Sequence, residues 1–158
     1  MSPTAAAEAF ERAPVLVERL GSADGAPAEV VARARSIIAT LSDPERVAIL
    51  NAHPPIGATR GLSARSAAEQ RATEPEGPAV LEQLARLNAA YEERFGFRFV
   101  VFVHGRTRAQ IIPILTQRLE RTRDEELSAG LEEFLAIAHD RLTNDRTTDR
   151  STTEGVRR

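Results

Sequence analysis

Apolar residues recur at helical spacing along most of the chain. Val30, Val31, Ala34, Ile37, Ile38 and Leu41 repeat every three to four positions, and Val80, Leu81, Leu84, Leu87, Tyr91 and Phe95 form a longer stripe. Ile111, Ile112, Leu115 and Leu119 make a third stripe, and Leu127, Leu131, Phe134, Leu135, Ala138 and Leu142 a fourth. Start and stop signals punctuate these runs. Residues 5–20 favour helix, but Pro14 has no N–H to donate and should divide the run, with Gly21 placed to end it. Pro27 can open the next helix. Ser42-Asp43-Pro44-Glu45 starts another, with a capping side chain, a first-turn proline and acids at the positive helix end. Val47, Ala48, Leu50 and Asn51 belong to that short helix. Gly96 closes the long stripe, Pro113 should kink or restart the helix that carries it, and Thr122-x-x-Glu125 caps the last one.

One apolar stretch does not fit a helix. FRFVVFV, residues 97–103, is rich in β-formers, yet nothing else in the chain reads as a strand to pair with it. It is therefore expected to be an extended, buried connector whose backbone groups need other partners, which makes them available to a ligand. Asn88, beside the long stripe, reads as a buried polar contact rather than a site residue. The expected fold is all-α: a single helical domain over residues 1–142 with about seven to nine helices. Residues 143–158, TNDRTTDRSTTEGVRR, are polar, Thr-rich and aperiodic, and are expected to form a flexible tail.

Composition narrows the chemistry more than the fold. The 158 residues suit one domain, and 42% hydrophobic with 28% charged residues is an ordinary globular balance. A net charge of −2 gives no electrostatic reason to expect nucleic acid or an anionic membrane as partner. No apolar run approaches the roughly 20 residues that span a bilayer. MSPTAAAEAFER has no continuous apolar core of the secretory kind, so the expectation is a cytoplasmic protein. There is no Cys, which excludes thiol nucleophiles and Cys-ligated metals. All 21 basic residues are Arg, so no lysine can form a Schiff base. Phosphate-binding glycine loops are missing as well. With His53, His104 and His139 the only histidines, catalysis would rest on His, carboxylate and hydroxyl groups.

The stretch most suggestive of chemistry is NAHPPIGATRGLSARSAAEQ, residues 51–70. His53 precedes Pro54, which pushes it out of the α region and stops the helix. Its ring then lies just beyond a helix C-terminus, whose negative end favours an imidazolium. Spacing alone is equally compatible with a histidine that merely decorates a turn. Ser63 can cap a following helix on which Ser66, Glu69 and Gln70 share one face. Hydroxyl, carboxylate and carboxamide together could hold a small urea-like ligand. Ser66-x-x-Glu69 is also an ordinary capping box, and spacing alone favours that reading. His139, on the last helix, reads as structural or solvent-exposed.

AHPPIG (52–57), SARSAAEQ (63–70), LNAAYEERFGFRFVVFVHGRTR (87–108) and RLERTRDEEL (118–127), in that order, resemble the OHCU decarboxylase family of urate degradation. They cover about half the chain, and their order makes the signal far more specific than any one of them. The resemblance implies that 2-oxo-4-hydroxy-4-carboxy-5-ureidoimidazoline (OHCU) is converted to (S)-allantoin. It places His53 on the catalytic histidine, with Pro54 as a neighbouring substrate contact. Ser66, Glu69 and Gln70 fall on the substrate-binding run, whose Glu assists catalysis. Val101, Phe102, Val103, His104 and Gly105 align with a segment whose backbone touches the ligand. Departures from the family pattern occur at GSADG (21–25), at Pro113 and in a short loop from Gly57 to Ser63.

The resemblance also implies a homodimer, no metal and no cofactor. Loss of CO2 leaves an electron pair that many enzymes pass to a cofactor. In OHCU, conjugated C=N and C=O groups beside the carboxylated carbon can accept it. Two rival readings are a non-catalytic helical interaction module and a metal-dependent hydrolase. The module leaves the clustering of His53 with Ser66, Glu69 and Gln70 as coincidence. The hydrolase has a poor ligand set in one His and one Glu.

Overall fold

Proline and glycine mark the helix boundaries. The computed structural model describes residues 3–11, 13–56 and 77–154. Its helices are α1 (Pro3–Ala9), α2 (Pro14–Leu20), α3 (Pro27–Thr40), α4 (Asp43–Ala52), α5 (Pro78–Phe95), α6 (Arg108–Arg118) and α7 (Arg123–Glu154). No strand occurs among the described residues, in keeping with an all-α fold. Proline stands in the first turn of α2, α3, α4 and α5, where a missing N–H costs nothing. Gly96 ends α5 at φ 79°, a left-handed conformation that favours glycine, and its N–H donates to Glu92 O at 2.9 Å. Ser42 and Glu45 exchange the expected capping bonds, Glu45 N–H to Ser42 Oγ and Ser42 N–H to Glu45 Oε1. Thr107 and Gln110 form a second capping box, which the sequence reading did not single out.

Two units make up the chain, residues 42–134 and residues 1–41 with 135–158. In the latter, Phe10, Leu16, Val30, Ala34, Ala138 and Leu142 are fully buried. Arg141 is buried with them. Its Nη1 donates to the carbonyls of Glu8 and Ala9 at the end of α1, and its Nη2 to Glu11 Oε1 at 2.9 Å. A cation at the negative end of a helix, paired with a carboxylate, satisfies carbonyls that would otherwise be orphaned.

The 42–134 unit is built round an aromatic cluster. The Tyr91 ring lies 4.7, 6.0 and 5.3 Å from those of Phe95, Phe97 and Phe99. The connector that carries the last two has no strand partner, as expected, so side chains satisfy its backbone. Asn51 Oδ1 accepts the Arg98 N–H at 3.0 Å, Arg118 Nη1 donates to Val100 O at 2.9 Å, and Arg106 Nη1 donates to Phe102 O at 3.1 Å. Arg123 Nε donates to Phe95 O, and its two terminal nitrogens reach both oxygens of Asp43. That bidentate pairing lowers the Asp43 pKa.

Beneath the connector lies a buried polar knot. Tyr91 Oη and Arg118 Nε both donate to Glu126 Oε1 at 2.7 Å, and Arg121 Nη1 stands 3.4 Å from the other oxygen. Burial raises the Tyr91 pKa, and the hydrogen bond to Glu126 adds to it. A raised pKa in the fold means stability that is complete below the unfolded value of about 10 and lost as pH climbs beyond it. Tyr91 is the sole tyrosine, and there is no Trp. Phenolate absorbance at 295 nm should therefore stay flat through pH 10 and appear only as the protein unfolds in alkali. An increase centred on the ordinary value, with helical circular dichroism intact, would contradict this burial.

Two local expectations change. α6 continues through Pro113 without a restart. α7 runs to Glu154, through most of the segment expected to be loose. Extending an existing helix orders one residue per bond gained, and neither Gly nor Pro interrupts the chain from Leu131 to Glu154. The next stop signal is Gly155. Among the described residues no helix is long and apolar enough to cross a membrane.

Candidate active site

His53 terminates α4 in extended geometry, φ −82° and ψ 134°, as a residue before proline must. Its half-buried ring meets that of Phe134 edge-on, with centroids 6.5 Å apart. Two positions of α7 one turn apart form the wall here. Gly130 has no Cβ, and one built there would stand 3.1 Å from Leu50 Cδ1, so its absence lets α4 approach. Phe134 then meets the end of that helix.

Two further elements hold the histidine segment. Buried Asn88 on α5 donates from Nδ2 to Ile56 O at 3.2 Å, just beyond Pro54 and Pro55. This is the structural contact expected of it. From the connector, Arg98 Nη1 donates to Asn51 O at 2.9 Å and to His53 O at 3.1 Å. Pro54 and Ile56 are buried, so the ring sits on a backbone braced from both sides.

The other sequence-derived positions divide into two groups. Val101 is buried, Phe102 and Val103 are half-buried, and His104 and Gly105 are exposed. His104 adopts φ 49°, uncommon without glycine, and its ring lies 4.9 Å from that of Phe102. Arg106 N–H closes the turn onto Val103 O at 3.0 Å. Ser66, Glu69 and Gln70 lie outside the described residues. His139 is exposed on α7, matching its non-site reading.

Arg98 and the Arg118–Glu126 pair escaped the sequence reading, although each left a trace. Arg98 is the only polar residue in FRFVVFV, and Arg118 continues the Ile111, Leu115 stripe one turn on. Among the described residues no group of three or more His, Asp and Glu could hold a metal ion. A hollow of about 400 Å³ between α2 and α3 is lined by Arg19, Arg33, Ser36 and apolar residues. Arg33 is already committed to the carbonyls of Ser22 and Asp24, and no acid–base pair lines the hollow.

Comparison with known proteins bears on this site. A "Uric acid degradation bifunctional protein" of a Bacillus species is 32% identical over 108 residues, 67% of this chain but 22% of that protein. The "2-oxo-4-hydroxy-4-carboxy-5-ureidoimidazoline decarboxylase" of Haloferax volcanii is 29% identical over 139 residues, 85% of this chain and 83% of its own. A crystal structure of OHCU decarboxylase in the presence of (S)-allantoin superposes with a TM-score of 0.70 at 25% identity, over 84% of this chain and 90% of that one. The family model for OHCU decarboxylase matches residues 4–143. The chain belongs to the OHCU decarboxylase family.

Proposed function

We propose that this protein decarboxylates OHCU to (S)-allantoin in urate degradation, without a cofactor, through His53 and Glu69. The observation that carries the proposal is His53: a half-buried imidazole at a helix end, on a backbone held by Arg98 and Asn88, within the family match. The C–COO⁻ bond breaks and CO2 departs. The electron pair enters the adjacent C=N, and a proton is returned to one face of the resulting carbanion. His53 takes the proton of the substrate hydroxyl and supplies acid–base help, with Glu69 steering its protonation. Ser66 and Gln70 hold the ureido and ring carbonyl groups, Pro54 packs against the substrate, and backbone of Val101 to Gly105 completes the contacts. The same reading makes the protein a cytoplasmic homodimer. Substrate consumption, followed with the circular dichroism of the product in buffer containing chelator, tests the proposal. Enantiomerically enriched allantoin formed at an unchanged rate supports it; racemic product at the spontaneous rate would remove it.

Glu69 and Gln70 should separate kinetically. Gln70→Ala should raise KM with little change in kcat, because its hydrogen bonds persist from bound substrate to transition state. Glu69→Ala should lower kcat as well, since a carboxylate beside His53 acts on the charge that develops. An unchanged kcat in Glu69→Ala would leave that side chain only a helix-capping role.

A further inference from the structure

We infer that Arg98 is the positioning residue for His53, an inference that rests on the catalytic reading of that histidine. Arg98 and Asn51 are bonded reciprocally: the Arg98 N–H donates to Asn51 Oδ1, and its guanidinium returns a bond to Asn51 O. The same nitrogen, Nη1, also donates to His53 O. Both carbonyls sit at the end of α4, where the last turn lacks backbone donors and carries partial negative charge. A guanidinium there satisfies them and sets the peptide plane from which the His53 side chain departs. Glu92 on α5, 3.7 Å from Arg98 Nε, restrains the far side of the guanidinium. The connector is in turn anchored by Arg118 at Val100 O, two residues on. The ring is thereby referenced to the connector that is proposed to touch the substrate, and not only to its own helix.

Both acceptors share Nη1, so the geometry calls for one charged nitrogen rather than a planar fork. A lysine ammonium can supply that, although it is no substitute at bidentate sites. Arg98→Met should therefore lower kcat by about 10- to 100-fold, the scale of a misplaced catalytic group, with KM changed less than about threefold. Arg98→Lys should recover most of the loss. Arg98 is part-exposed, and thermal unfolding of both variants should stay close to that of the parent.

A second readout is independent of turnover. With only three histidines, the imidazole Cε1–H resonances can be assigned by substitution. In Arg98→Met the His53 resonance should shift or broaden while that of His139 stays in place. Wild-type kcat in Arg98→Met, a loss confined to KM, no rescue by lysine, or an unmoved His53 resonance would each overturn the assignment. If His53 proves dispensable for turnover, the catalytic reading fails, and the resonance experiment still decides whether Arg98 positions the ring.

Discussion

His53→Asn should leave a folded helical protein whose turnover is reduced by about 100- to 10,000-fold, the usual contribution of a positioned acid–base group. The fold should survive for reasons visible at the end of α4. Asparagine can adopt the extended backbone that Pro54 demands of the residue before it. The carbonyl that Arg98 binds belongs to the main chain and remains after substitution. What disappears is the edge-on contact with Phe134, worth about 0.5–1.5 kcal/mol for an aromatic pair. A small drop in unfolding midpoint with a large drop in rate is the expected signature. Chirality supplies the sharper measurement, because uncatalysed decay of OHCU also reaches allantoin but without facial preference. The residual product of His53→Asn should approach a racemate. A folded variant that still makes (S)-allantoin at near wild-type rate would show that proton delivery does not pass through this imidazole.

The sequence revealed local structure more fully than the contacts that brace it. Helix starts were legible because Pro14, Pro27, Pro44 and Ser42 act within one turn of where they stand. The connector was legible as a contradiction, a β-rich run with nothing to pair. His53 was legible because the constraint from Pro54 is also local. Harder to see was what holds the connector. The bonds from Arg118 to Val100 O and from Arg98 to His53 O span 18 and 45 residues, and no periodicity reports such pairs. Even so, Arg118 occupies an apolar-stripe position, and Tyr91 brings a hydroxyl into the core that needs a partner. A charge and a hydroxyl on inward-facing stripes together ask for a buried acceptor, which Glu126 supplies. The length of α7 was misread for another reason: polar, Thr-rich composition was weighed above the absence of any stop signal before Gly155.

That buried acceptor underlies the second large effect. Arg118→Met should destabilise the protein by about 3–5 kcal/mol, because removing one partner of a buried ion pair strands the other. The Arg118 side chain is 8% exposed and that of Glu126 0%, so solvent cannot compensate the carboxylate. Tyr91 and Arg121 would remain as its partners, one neutral and the other surface-exposed. Against a typical total of about 5–15 kcal/mol, the loss brings the folded state close to its threshold, and the urea midpoint measures it. A triple variant separates charge from support: Arg118→Met, Glu126→Leu and Tyr91→Phe together remove every stranded polar group of the knot. Stability should then largely return, since apolar replacement of a whole buried network is often neutral or favourable. The remaining deficit, about 1–3 kcal/mol, is that of the Val100 carbonyl left without its donor. Activity should stay depressed in the stabilised triple variant, because the connector has lost the side chain that holds it at Val100. Full recovery of turnover together with stability would show that the knot supports the fold and has no part in placing the connector.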